Sequence, residues 1–158
     1  MFRKMRRFKQ QLTEEECISI LRNEKRGVLA VLGDEDYPYT IPIDYVYDES
    51  GKKIYFHCAK EGHKVDAVRK HDKVSFCVYD QGFRREGEWA LNIKSVIVFG
   101  RLHIVEDRGR TIEIARSLGL KYHPDAASVE EELRKAGDRV MCLELAPEHM
   151  TGKLVNES

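Results

Sequence analysis

The segment from Tyr37 to Lys64, YPYTIPIDYVYDESGKKIYFHCAKEGHK, gathers most of the residues in this chain that could do chemistry. It ends in Ala59-Lys60-Glu61-Gly62-His63-Lys64, just ahead of a stretch with helical character. Glycine permits a tight turn or a close backbone approach. A helix start offers unpaired N–H groups and the positive end of the dipole, so it suits an anion such as a phosphate. Lys60 and Lys64 would add charge there, and His63 a hydrogen bond. The same residues also describe a plain solvated turn, and the local pattern leaves both readings open.

Upstream, Pro42 interrupts a strongly β-forming run. Proline cannot donate to a ladder, so this run belongs at a sheet edge or a bulge, where backbone groups can meet a ligand. In the next run, strand alternation sets Tyr55, His57 and Ala59 on one face and Ile54, Phe56 and Cys58 on the other. His57 is either a core histidine bonded to a carbonyl or the neighbour of a bound group. The tyrosines read equally as barrel core, dimer interface or ligand contact. A metal site fits poorly. His57, His63 and His71 lack the i, i+4 spacing of helical ligand pairs, and Cys58 points away from His57.

These residues need elements to position them. Thr13 and Glu16 fit a capping box, with Leu12 and Cys17 placed for a hydrophobic staple, so a helix starts there and Gly27 closes the unit. Strands are expected at Val28–Leu32, across YPYTIPIDYVY, at Ile54–Ala59, Val74–Tyr79, Ser95–Val105 and Arg139–Leu145. Short helices are expected at His63–Lys70, at Arg110–Leu118 with Gly119 as its cap, and from a second capping box at Ser128 and Glu131 to Gly137. Six strands without regular βαβ alternation argue against a Rossmann sheet and for a closed or partly closed antiparallel barrel.

The 158 residues suit a single domain with its own core. We divide them into a flexible basic leader at 1–11, a barrel domain at 12–153 and a tail at 154–158. Lysine plus arginine equals aspartate plus glutamate at 27 each, so no overall basic field steers nucleic acid. No apolar run reaches the roughly 18 residues of a membrane helix. The leader, with Arg3, Lys4, Arg6, Arg7 and Lys9, lacks the apolar core of a secretory signal. There are four cysteines and no C-x-x-C pair; three lie in expected strands and read as buried free thiols, which fits a cytoplasmic location.

The order and spacing of several pieces resemble the pyridoxamine 5′-phosphate oxidase-like superfamily of FMN-binding split barrels, and within it the branch of 5-nitroimidazole resistance (Nim) proteins. The pieces are Gly27 to Ala30, Pro38-Tyr39, Pro42, Tyr45 to Tyr47, Ile54 to His57, Ala59, Gly62, Lys64, SVIVFGRLHIVED and the closing Met150-Thr151-Gly152-Lys153. The resemblance implies a mainly β fold, a six-stranded antiparallel split β-barrel, working as a homodimer with FMN between subunits. It sets Tyr39, Thr40, Ile41 and Pro42, with Tyr55, Phe56, His57 and Cys58, beside the flavin. It gives the phosphate to Gly62, His63 and Lys64, and completes the pocket with Ser95 and Val96 from the partner. His57 matches the histidine beside the isoalloxazine ring, which makes it the candidate catalytic residue. The chain lacks the arginine-rich C-terminal motif of true pyridoxamine phosphate oxidases, and the loop from Gln81 to Trp89, with Arg84 and Arg85, matches no family feature.

Three functions follow from this reading. The first is an oxidoreductase in which FMN takes a hydride from NADH or NADPH and reduces a small acceptor such as a nitroimidazole. The second is a flavin- or haem-binding protein of the same fold without turnover. The third is a nucleic-acid or partner-binding barrel using the basic leader, and zero net charge tells against it.

Overall fold

The computed structural model describes residues 1–157. The capping box forms as the sequence dictates. Thr13 Oγ1 accepts from the Glu16 amide at 3.2 Å, and Glu16 Oε2 accepts from the Thr13 amide at 2.8 Å. This opens α1 (Glu14–Asn23), and such a cap is typically worth about 1 kcal/mol. Gly27 does not close that helix; it lies inside β1 (Arg26–Leu32). A Cβ there would fall 2.4 Å from the Phe76 ring, so this glycine serves packing rather than capping.

Among the described residues seven strands, one more than expected, form a single antiparallel sheet in the order β2-β1-β5-β6-β7-β4-β3. Besides β1 they are β2 (Pro38–Asp44), β3 (Val46–Asp48), β4 (Lys53–Cys58), β5 (Lys73–Tyr79), β6 (Leu91–Ile104) and β7 (Met141–Glu157). The added strand arises because the run from Tyr37 to Tyr47 breaks at Tyr45. The Tyr45 amide donates to Tyr122 Oη at 2.9 Å, and its carbonyl accepts from Lys121 Nζ at 2.9 Å. With its backbone committed elsewhere, Tyr45 leaves the ladder and its ring enters the core.

Strand β7 runs well past the expected end at Leu145. It pairs with β6 from Leu143↔Ile104 to Glu157↔Leu91, so residues 154–157, beyond the expected domain boundary, extend this ladder. A bulge interrupts the pairing between Phe99 and Gly100. A Cβ on Gly100 would fall 2.3 Å from the Ala146 carbonyl, which is why glycine occupies that step.

Alternation turns Leu29, Val31, Phe76, Val98, Leu143 and Leu145 into one core, around which the sheet curls. Ile20 and Leu21 of α1, with Val65 and Val68 of α2 (His63–Lys70), close it. A second, smaller core lies outside the sheet. Tyr55 and Cys142 meet Ile114 and Leu118 of α3 (Arg108–Tyr122) there. Gly119, expected as a cap, sits inside α3, where a Cβ would fall 2.7 Å from Val129 Cγ1. Val129 belongs to α4 (Ala126–Ala136), and the glycine lets the two helices approach. That helix is capped by the Asp125 carboxylate, which accepts from the Ala127 amide, and not by Ser128, whose hydroxyl donates to the same carboxylate. Gly137 ends α4 with φ 52°, as expected. Among the described residues no helix is long and apolar enough to cross a membrane.

Candidate functional site

The phosphate candidates lie where β4 hands the chain to α2. Gly62 has φ 138° and ψ 168°, a conformation that belongs essentially to glycine. Nothing lies within 4 Å of where its Cβ would stand, so the backbone there is open to a ligand. No side chain caps the helix, which leaves its first N–H groups without side-chain acceptors. Lys64 is half-buried and close enough to Cys58 to oppose the rise that burial imposes on that thiol's pKa; burial wins.

His63 connects this helix start to the turn after β1. Its ring stacks on Tyr39 with centroids 4.3 Å apart, and its Nε2 accepts from the Asp34 amide at 3.0 Å. In the neutral ring that bond puts the proton on Nδ1, the donor left over for a ligand. Gly33 makes the approach possible. A Cβ on it would fall 2.8 Å from His63 Nε2 and 3.0 Å from Tyr39 Cβ. Sequence reasoning missed Gly33 and Asp34; only their contact with a residue about thirty positions away marks them.

Strand β2 is an edge strand, as Pro42 requires. Ile41 packs against the core, while Thr40 and Pro42 alternate with it onto the outer face. Their ladder partners are Ala30 and Val28, and Val28 in turn faces Cys77, which faces Ile97. Phe99 and Tyr79 lie on the same face, both exposed, and Ser95 stands opposite Tyr79. The outer face therefore carries Thr40, Pro42 and Ser95 around an apolar strip. Two intervening strands separate Ser95 from β2. Val96 points the other way, into the core. Phe2 reaches this face too, its ring stacked on His149 at 4.6 Å and on Phe99 at 5.9 Å.

In β4 the side chains divide. Phe56 is in the barrel core, edge-on to Phe76. Tyr55 is buried under α3, its hydroxyl donating to Glu144 Oε2 at 3.1 Å and accepting from Arg110 at 3.0 Å. Burial raises the Tyr55 pKa, against the pull of Arg110. With their side chains committed to packing, Tyr55, Phe56 and Val96 can offer a ligand only backbone. His57 is different. It is exposed, and it lines a cavity of about 560 Å³ between β4 and the α3–α4 pair. The sequence pattern did not reveal that cavity, since its walls come from four separate stretches of chain.

An antiparallel sheet curled round one core, with an uncapped helix start just after β4, makes a split β-barrel. The family model for pyridoxamine 5′-phosphate oxidase matches residues 13–154, and the chain belongs to that family. No curated protein matches the sequence. Among solved structures, a Bacteroides thetaiotaomicron protein whose proposed role is 5-nitroimidazole antibiotic resistance superposes with a TM-score of 0.76 at 16% identity, covering 93% of this chain and 87% of that one. A FAD-binding protein from Mesorhizobium loti gives a TM-score of 0.64 at 22% identity, covering 92% of this chain and 97% of the other. A FAD and haem binding protein from Mycobacterium smegmatis gives 0.72 at 18% identity, covering 92% and 73%. At these identities the likeness is one of fold.

Proposed function

We propose that this chain is an FMN-dependent oxidoreductase that reduces a small acceptor, such as a nitroimidazole, with electrons from NADH or NADPH. The observation that carries the reading is the open, uncapped start of α2. Gly62, His63 and Lys64 follow one another there, and the His63 ring stacks on Tyr39. That donor set fits a phosphate, and the neighbouring edge strand with Thr40 and Pro42 offers a surface for a flat ring. Bound FMN would supply the hydride acceptance and onward electron delivery that amino-acid side chains lack. The protein's part is to hold the phosphate, orient the ring and exclude water. His57, exposed and within reach of solvent, is the candidate to orient the acceptor or give it a proton.

The working form is a homodimer in the cytoplasm. Exposed Ile97, Phe99 and Tyr79, continuous with Val28 and Cys77, make an apolar strip of the kind that marks an interface. A two-fold pairing across it would bring the partner's copy of this strip, with its Ser95, against β2. Four free thiols suit a reducing compartment.

A second reading is favoured by the FAD and haem binding relative: a carrier that holds flavin without turnover. The visible spectrum of the purified protein, followed by FMN and riboflavin titrations of wild type and Lys64→Glu, tests the binding. The substitution should weaken FMN by about 1.5–3 kcal/mol or more, the worth of a charge-assisted contact, and leave riboflavin nearly unchanged. Equal losses for both ligands, or a colourless protein that fails to quench FMN fluorescence, would overturn the phosphate assignment. Anaerobic mixing with NADH and NADPH separates enzyme from carrier, and sedimentation of the loaded protein checks the dimer.

A further inference from the structure

The cavity beside His57 has a chemistry unlike that of the α2 start. Its floor is apolar, built from Leu118 of α3, Val129 and Leu133 of α4, and Val140 just before β7. Its polar groups are two imidazoles, His57 and His123, two carboxylates, Asp44 and Glu132, and the hydroxyls of Tyr122 and Ser128, which already donate to the Lys25 carbonyl and the Asp125 carboxylate. No lysine or arginine lines it. Cations stand behind the carboxylates instead: Arg26 Nε lies 2.9 Å from Asp44, and Lys135 Nζ 3.6 Å from Glu132. At about 560 Å³ the space is within the range of small-molecule pockets, roughly 300–1,000 Å³.

We infer that the cavity between β4 and the α3–α4 pair is a binding site for a small aromatic molecule that is neutral or cationic and carries no phosphate or carboxylate. The apolar floor supplies contact area for a ring. The carboxylates accept from N–H or O–H groups on its edge, and with no lysine or arginine in the lining an anion finds no partner there. Phosphorylated molecules belong at the α2 start, where Lys64 and free N–H groups stand; this second site excludes them. The inference deepens the proposed oxidoreductase by naming the class of its substrate, and rests on that reading only for the word substrate. The binding itself follows from the cavity alone.

Benzylamine, benzyl alcohol and benzoate share a ring and differ in charge, which makes them suitable probes. Each is titrated into the full chain and followed by NMR at the His57 imidazole and the α3 and α4 amides. A parallel FMN titration reads the other site. Benzylamine and benzyl alcohol should give saturable shifts at His57, Leu118 and Val129, and benzoate should bind at least tenfold more weakly. Ala115→Leu adds bulk to a lining position of α3 and should cut benzylamine affinity at least tenfold, with FMN binding unchanged. Glu132→Gln, on the exposed side of α4, should reduce the preference for benzylamine over benzyl alcohol without touching the fold. Benzoate binding as well as benzylamine would overturn the inference, as would shifts that map away from His57 or no saturable shift at millimolar probe. Loss of FMN binding with the benzylamine shifts intact would instead sink the flavin reading and leave the cavity standing.

Discussion

The contact between Gly33 and His63 can be measured as an energy. Gly33→Ala would set a methyl 2.8 Å from His63 Nε2 and 3.0 Å from Tyr39 Cβ. The imidazole is the end of a side chain and can swing away, but it then gives up the Asp34 amide and its stack on Tyr39. A net hydrogen bond is worth about 1 kcal/mol, and an aromatic pair about 0.5–1.5 kcal/mol. The expected cost is therefore about 1.5–2.5 kcal/mol. At about 2–4 °C per kcal/mol for a chain of this size, Tm should drop by roughly 3–10 °C. His63→Ala removes the same two interactions by deleting the ring. The double variant should then cost clearly less than the sum of the singles, with a coupling of about 1 kcal/mol or more, the remainder being the pressure on Tyr39. Urea unfolding of all four proteins gives the cycle. Additive costs, within about 0.5 kcal/mol, would show that Gly33 and His63 do not act on one another and would refute the geometry.

Two further outcomes are expected. Burial, with Lys25 alongside, pulls the Lys121 ammonium down to about 8, although its place 3.8 Å from the Tyr45 ring centroid favours the charge. The unfolded chain therefore binds the extra proton between about pH 8 and 10.4, so this group's contribution to stability rises across that window and is flat below it. Lys121→Met should erase a rise of about 1–3 kcal/mol in the wild-type-minus-variant difference, and parallel pH–stability curves would contradict it. His57→Ala should leave FMN affinity nearly intact and slow flavin reoxidation by a nitroaromatic acceptor at least about tenfold, since general acid help is typically worth 10²–10⁴ in rate. Unchanged reoxidation in anaerobic stopped flow would remove His57 from the reaction.

What the sequence made legible was local. The Thr13–Glu16 cap, the α2 boundaries and the two faces of β4 follow from contacts within a few residues, and all stand in the structure. The edge position of β2 was legible because proline has no amide to give. Misses came from distant partners. Nothing near Tyr45 shows that Tyr122, seventy-seven residues on, takes its backbone out of the ladder. Gly119 looked like a helix stop because glycine usually is one, yet Val129 across the α3–α4 interface demands it. The stretch from Thr151 to Glu157, with only Leu154 and Val155 apolar, carries little strand signal, and its pairing depends on β6 being in place. For the site, the glycine and cations of the α2 start could be read in advance. The cavity beside His57 could not, because no one segment holds more than part of its wall.

The position of β7 bears on how the molecule comes together as it is synthesised. It is the last of the described strands in chain order, yet it lies in the interior of the sheet, between β6 and β4. Until it emerges, β4 has only the three-residue β3 beside it, and Tyr55 waits for a partner eighty-nine residues downstream. Nascent chains carrying residues 1–140 would thus hold two unjoined sheet fragments with open, β-branched edges, a state prone to stick to its own kind. Contacts of such long sequence separation also slow folding, because chain entropy is lost well before they form. The strand that joins the two parts of the sheet therefore sets the pace of assembly, and factors that shield exposed edges on the ribosome should matter most for this protein until residues 141–157 have emerged.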